Sequence, residues 1–120
     1  ETRYRLLGST FGEYGGEKVF EYEEVGISTD TLTFEDYIAV RKVSFLVEIL
    51  FNSSIFLEIE LFLADNNLHF YDFIMLAYRE IEESSDNIRS VFISYDRESQ
   101  NELKDSPSEL VNYYSDSRYI

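Results

Sequence analysis

The sequence predicts a mainly α domain of the α+β type, in which an N-terminal β-hairpin precedes a bundle of four or five helices. Two observations predict this class. Residues 1–27 are rich in strand formers, and four of the five glycines lie in the connection between two strand-like segments. From residue 33 onward, apolar residues recur at helical spacing between cap and turn signals. Since 120 residues suit one domain, we expect residues 1–27 and 33–120 to form a single domain.

The hairpin is predicted from two segments, residues 3–7 and residues 19–25, the second of which alternates over its middle. Between them, Tyr14-Gly15-Gly16-Glu17 is a turn signal, because paired glycines supply the positive φ angles of a tight hairpin turn. Residues 10–14 can add a third short strand.

The first helix is predicted to begin after Thr33, which can act as the N-cap, with Asp36 returning the hydrogen bond as in a capping box. The helix is apolar on most of its circumference as far as Phe51, and Asn52-Ser53-Ser54 is the expected stop. A helix of this composition needs covering on nearly every side.

A second helix is predicted over residues 55–64, with Ser54 as its cap. The alternation of Leu and Glu over residues 57–61 would also suit a strand. We favour helix because Leu and Glu are helix formers and Phe62-Leu63-Ala64 breaks the alternation. Asp65-Asn66-Asn67 is a predicted turn.

Three further helices complete the predicted bundle. The third spans Phe70 to Ile81, and Ser84-Ser85-Asp86 ends it and caps the fourth. The fourth is expected to fray over the polar residues 96–105. Ser106-Pro107-Ser108-Glu109 then places Ser at the cap, Pro at the first helical position and Glu at the reciprocal site of a last short helix.

The composition excludes several classes of partner and site. Asp and Glu number 24 against 10 Lys and Arg, which gives a formal charge of −14. Such a field repels phosphate, so we expect neither nucleic acid nor an anionic membrane as partner. It fits a basic protein surface or simple solubility. Without cysteine, the chain can build no disulfide, thiolate nucleophile, iron–sulfur cluster or cysteine-ligated zinc site.

The location is predicted from the absence of targeting signals in this sequence. No apolar run approaches the roughly 20 residues of a membrane span, and the first residues lack the apolar segment of a signal peptide. We therefore expect a cytoplasmic protein. Because the chain begins at Glu1 and enters strand-like sequence at once, we expect a domain excised from a longer protein, with a processed or trimmed chain as the alternative.

Candidate catalytic and metal-binding groups are few. His69 is the only histidine, and Asp65 lies four residues before it. A metal site needs three or more convergent ligands, and a Ser-His-Asp site needs a nucleophile motif. We therefore expect His69 to start a helix or lie on the surface, and we assign no catalytic, cofactor-binding or metal residue. Several neighbouring carboxylates fit solvated faces, with an acid–base pair left open: Glu23-Glu24, Glu35-Asp36, Glu58 with Glu60, and Glu82-Glu83.

The first helix carries a polar stripe formed by Tyr37, Arg41, Ser44 and Glu48. At about 100° per residue these four side chains fall within a narrow arc, while apolar residues occupy most of the remainder. The stripe is either an ordinary edge facing water or a surface that docks against another domain. Six tyrosines of the C-terminal half suit either an interface or the rim of the core: Tyr71, Tyr78, Tyr95, Tyr113, Tyr114 and Tyr119.

The stretch from Arg3 to Phe51 carries a family resemblance. Its features are Arg5-Leu6-Leu7, Phe11-Gly12-Glu13-Tyr14 with the turn over residues 15–19, Glu23-Glu24-Val25, Ser28-Thr29, Thr33-Phe34-Glu35-Asp36-Tyr37 and residues 41–48. This pattern resembles the region just after the catalytic barrel in radical SAM proteins, particularly those with an N-terminal cobalamin-binding domain. In that family such a sequence opens a helical C-terminal domain.

The resemblance implies a non-catalytic C-terminal accessory domain of a radical SAM enzyme. The family's cysteine triad, which ligates a [4Fe-4S] cluster, is absent, so no functional residue carries over and this chain itself needs no cofactor. The parent protein would bind the cluster, S-adenosylmethionine and, in the cobalamin type, cobalamin. This domain would cover or regulate the catalytic barrel or contact a partner. The alternative is a free-standing acidic binding module of the immunity-inhibitor or DNA-mimic type.

Overall fold

The computed structural model describes residues 1–116, which form four β-strands and five α-helices. The predicted class is confirmed: the protein is α+β, with an N-terminal hairpin followed by a helical bundle. The elements in chain order are β1 (Thr2–Leu6), β2 (Gly12–Tyr14), β3 (Glu17–Val19), β4 (Tyr22–Gly26), α1 (Phe34–Val47), α2 (Leu57–Asp65), α3 (Phe70–Glu80), α4 (Asp86–Asn101) and α5 (Pro107–Ser115). A turn of π-helix, Glu48–Asn52, extends α1.

The chain divides into two compact units. The first comprises Glu1–Tyr37 together with the described residues from Glu98 onward, and the second comprises Ile38–Arg97. The first unit therefore contains the four strands and α5, while the second contains α2 and α3. The second unit is inserted, in chain order, between the two segments of the first.

The hairpin of the first unit has two ladders. β1 pairs antiparallel with β4, and β2 pairs antiparallel with β3 across the predicted glycine turn. Gly15 and Gly16 have φ angles of 63° and 85°, the left-handed values that this two-residue turn requires. The third short strand is confirmed as β2.

The single strand expected over residues 19–25 is wrong, because the ladder breaks at Phe20 and Glu21 between β3 and β4. On the opposite side, the amide and hydroxyl of Thr10 both donate to the carbonyl of Leu7, at 3.2 and 2.9 Å. That turn takes residues 8–10 out of the extended conformation, so the first side of the hairpin is itself divided into β1 and β2.

The start of α1 is the predicted capping box. Thr33 Oγ1 accepts a hydrogen bond from the Asp36 amide at 3.1 Å, and Asp36 Oδ2 accepts one from the Thr33 amide at 3.0 Å. The two hydrogen bonds satisfy donors that a helix N-terminus leaves without intrahelical partners.

Residues from Glu98 onward complete the first unit. The predicted fraying over residues 96–105 is wrong, since α4 continues to Asn101 and Ser99 is buried. Backbone pairing of Lys104 with Tyr4 of β1 fixes this segment. Leu110 of α5 is fully buried.

The predicted cap of α5 is confirmed. Ser106 has extended backbone angles, and its hydroxyl accepts a hydrogen bond from the Glu109 amide at 3.1 Å. In a capping box the Glu109 carboxylate would accept from the Ser106 amide. Here it accepts instead from the amide of the preceding residue, Asp105, at 3.0 Å.

The core of the second unit is a buried cluster of Leu46 from α1, Ile74 from α3, Ile81 just after α3, and Phe92 from α4. α1 is covered on most of its apolar circumference, as expected: Leu46 is buried, and among the apolar residues of Phe34–Val47 only Val40 is exposed, at 58%.

The cap predicted for α2 is wrong. Residues 57–65 are helical, as favoured, but Ser54 is not the N-cap, because its φ of 57° places it in the left-handed region that ends the preceding helix. The residue before α2 is Phe56, which makes no side-chain capping hydrogen bond. The predicted turn after α2 is confirmed, with a φ of 54° at Asn67.

Candidate functional site

The polar stripe on α1 begins with two side chains that are not freely exposed. Tyr37 is buried and stacks on Phe34, with ring centroids 6.0 Å apart and planes 13° apart. The hydroxyl oxygen of Tyr37 is buried without a hydrogen-bond partner among residues 1–116. Arg41 is half-buried, and its guanidinium carbon lies 5.8 Å from the centroid of the Tyr95 ring.

The other two members of the stripe are exposed and satisfied within their own helix. Ser44 Oγ donates to the carbonyl of Val40 at 2.9 Å, and Glu48 Oε2 accepts from Asn52 Nδ2 at 2.7 Å. The stripe therefore changes from buried to exposed along the helix. That it docks against another domain stays a prediction.

His69 lies at the start of a helix, which is one of the two positions expected for it. It is exposed at the N-cap position of α3, and its carbonyl accepts from the Asp72 amide at 3.1 Å. Asp65 is exposed at the end of α2. Over residues 1–116, no group of three or more His, Asp or Glu side chains is placed to hold a metal ion.

The carboxylate pairs separate into different environments. Glu23 binds Arg5 at 2.5 Å, and Asp36 caps α1. The pKa of Asp36 lies below its ordinary value, first because of the hydrogen bond from the Thr33 amide and then because of that from the Thr33 hydroxyl. Glu82 and Glu83 are exposed after α3. Glu58 is exposed on α2, whereas Glu60 is half-buried.

The six tyrosines do not form one set. Tyr71 is 68% exposed, whereas Tyr95 is half-buried and stacks on Phe45 with ring centroids 4.2 Å apart. Tyr113 and Tyr114 lie on α5 with centroids 5.0 Å apart. Tyr119 lies outside the described residues.

The feature that sequence reasoning missed is an apolar surface around α2. Four side chains, Phe51, Leu57, Leu61 and Leu68, are between 47% and 56% exposed and line one open cleft. We call these four residues the α2 surface. Two further apolar side chains of this part of the chain, Ile55 and Phe62, are more exposed still. The sequence signal was the run over residues 57–63, whose five apolar positions point to more sides of one helix than a core can accept.

The cleft beside the α2 surface holds a carboxylate. Its volume is about 340 Å³, and its lining includes Glu60, His69 and Phe70. Glu60 Oε1 is buried and has no hydrogen-bond partner within residues 1–116. The rings of Phe51 and Phe70 lie 5.2 Å apart, centroid to centroid, at 46°. This cleft therefore combines apolar and aromatic walls with a single buried acidic oxygen.

A second cleft, of about 480 Å³, lies over the core of the same unit. Its lining is apolar apart from Glu80 and Ser84 and includes Leu50, Phe56 and Ile88. This second cleft therefore has few polar groups with which to orient a ligand.

Comparison with protein-family models, with curated proteins and with solved structures gives no match for this chain. Among residues 1–116, no helix combines the length and the apolar character needed to cross a membrane.

Proposed function

We propose that this chain is a non-catalytic protein-interaction domain that docks through the α2 surface. The observation that carries the proposal is the set of half-exposed apolar side chains around one cleft. Apolar area left in water is unfavourable, and contiguous apolar area on a folded domain marks an interaction surface. A partner that covers the α2 surface removes that area from water.

The first partner to test is the catalytic barrel of a radical SAM protein. Residues 3–51 resemble the region that follows such a barrel, and this domain would then cover or regulate it. The [4Fe-4S] cluster, S-adenosylmethionine and, in the cobalamin type, cobalamin would be held by the rest of that protein. We expect the reading frame that encodes this chain to contain a cysteine triad upstream. A reading frame without the triad removes this partner.

Photocrosslinking in the full-length protein tests the docking itself. Leu61 is replaced by benzoylphenylalanine, and Val40 is the control position, because it is an apolar residue of similar exposure in the same unit. We expect crosslinks from position 61 to residues outside this domain and few from position 40. Equal crosslinking from the two positions, or none from position 61, contradicts docking through the α2 surface.

A free-standing acidic binding module, of the inhibitor or DNA-mimic type, is the second candidate. Its support is the charge of −14. A complex formed by this charge weakens as salt screens it, because the Debye length falls from about 10 Å at 0.1 M to about 3 Å at 1 M. Binding to a basic partner that is unchanged over this salt range argues for apolar docking instead.

A further inference from the structure

We propose that the cleft beside the α2 surface binds an arginine side chain of the docking partner, with Glu60 as its counter-ion. This inference rests on the proposed function and names the chemistry of the partner at that site. It follows from an unsatisfied acidic oxygen, a local absence of cations, and aromatic walls.

The first argument is the state of Glu60. Glu60 lines a cleft formed mainly by Leu, Ala and Phe side chains, and its Oε1 atom is buried without a hydrogen-bond partner among residues 1–116. His69 lines the same cleft, yet it makes no hydrogen bond or ion pair with Glu60 in the described structure. A carboxylate oxygen removed from water without a partner is costly, and a cation restores the lost interaction.

The second argument is that the neighbouring chain supplies no cation. From Val43 to Tyr78 the sequence contains no Lys and no Arg, although it contains five carboxylates: Glu48, Glu58, Glu60, Asp65 and Asp72. All the residues that line the cleft fall within this stretch. A Lys or Arg counter-ion for Glu60 therefore comes from outside this stretch, and the surrounding negative charge favours such a basic group.

The third argument is the shape and chemistry of the walls. Arg carries an apolar stem below a charged head, so its stem can lie along Leu57, Leu61 and Leu68 while its head reaches Glu60. The Phe51 and Phe70 rings line the cleft and offer faces that attract cations. Arg is favoured over Lys because its planar guanidinium stacks on aromatic rings and is more weakly hydrated than an ammonium.

The test uses a small probe, so that it does not depend on the partner. The isotopically labelled chain is titrated with acetyl-arginine methylamide, and amide shifts around the cleft are followed by NMR. The matched neutral probe is acetyl-citrulline methylamide, which has nearly the same shape without the charge. We expect the arginine probe to shift the amides of Phe51, Glu60 and Leu68, the citrulline probe to bind several-fold more weakly, and acetyl-lysine methylamide to fall between them.

Three variants locate the site. Glu60→Gln keeps the side-chain size and is expected to weaken arginine binding about tenfold, as befits loss of a charge-assisted hydrogen bond. Glu58→Gln makes the same charge change at an exposed position of α2 and is expected to weaken it little. Phe51→Leu, at a half-exposed ring outside the buried core cluster, is expected to weaken it two- to fivefold.

Equal binding of the arginine and citrulline probes overturns the proposal, as does an equal loss of arginine binding in Glu60→Gln and Glu58→Gln. The crosslinking from position 61 is measured independently of these probes and variants. Failure of the arginine site and failure of docking are therefore distinguishable. Arginine binding that depends on Glu60, without crosslinks from position 61, retains the site and rejects the docking surface.

Discussion

Tyr4 and Lys104 exchange two backbone hydrogen bonds, from the Tyr4 amide to the Lys104 carbonyl at 2.9 Å and from the Lys104 amide to the Tyr4 carbonyl at 2.8 Å. The bridge joins residues 100 positions apart in the chain and pairs β1 on its second edge. Lys104 is itself buried, with its Nζ 3.9 Å from the Tyr113 ring centroid and 2.6 Å from the Asn101 carbonyl. The two chain segments of the first unit are therefore held together at their backbones.

The ion pairs of Arg5 reinforce this junction, and we expect Arg5→Gln to destabilise the protein. Arg5 binds Glu23 of β4 at 2.5 Å and Glu102 at 3.5 Å. Burial acts to lower the pKa of Arg5, but the hydrogen bond to Glu23 and the charges of both carboxylates outweigh it, so the pKa is raised. Urea denaturation should show a loss of about 1–2 kcal/mol.

Arg79→Gln is the control for that experiment, because Arg79 is exposed on α3 and the substitution removes the same charge. We expect its free energy of unfolding to stay within about 0.5 kcal/mol of the original. Equal losses in the two variants would show that net charge, and not the Arg5 pairs, sets the effect.

The cap of α5 gives a second prediction. Ser106→Ala removes the hydroxyl that accepts from the Glu109 amide, so α5 loses the partner of one N-terminal donor. We expect the free energy of unfolding to fall by about 1 kcal/mol, measured by thermal or urea denaturation. Ser108→Ala, at an exposed position inside the same helix, should be neutral or slightly stabilising. A Ser106→Ala variant as stable as Ser108→Ala would contradict the capping role.

The pKa of Asp36 predicts a dependence of stability on pH. Because this pKa is lower in the folded chain than the unfolded value of about 3.9, the contribution of Asp36 is complete above that pH and is lost as pH falls through the folded pKa. Asp36→Asn should therefore destabilise most at neutral pH, and the difference should shrink in acid. Asp30→Asn, at an exposed bend, is the control for the loss of one carboxylate charge. A difference that stays constant from neutral pH into acid would refute the assignment.

The hairpin turn predicts opposite outcomes for two glycines. Gly16 has a φ of 85°, so Gly16→Ala forces a Cβ into the left-handed region and should cost about 1 kcal/mol. Gly8 has no positive φ, and a Cβ there meets no atom within 4 Å. Gly8→Ala should be neutral or slightly stabilising in the same denaturation measurement. Equal stability of the two variants would mean that the turn relaxes without strain.

Local signals made most of the elements predictable. The caps at Thr33 and Ser106 and the glycine turn depend on hydrogen bonds and φ angles within a few residues, which sequence spacing reveals. The fraying expected over residues 96–105 was wrong because the pairing of Lys104 with Tyr4 is long-range, and a polar segment gives no sign of such a partner.

The candidate site was less predictable for a related reason. Composition indicated an apolar α2, but whether its leucines are covered depends on how many neighbours the bundle supplies. The polar stripe on α1 drew attention through its spacing, whereas the burial of one Glu60 oxygen arises from tertiary placement. The absence of Lys and Arg from Val43 to Tyr78 was readable in the sequence and identifies the acidic region that contains the cleft.

The division of the chain also sets an order of events during synthesis. The second unit, Ile38–Arg97, is continuous in sequence and can fold once it has emerged from the ribosome. The N-terminal hairpin emerges earlier but must wait about 60 residues for Glu98 and its successors, because Lys104 is the partner of Tyr4. An isolated two-stranded hairpin is marginal in water, so the hairpin, although it is made before the second unit, acquires its final structure only after Lys104 has been made.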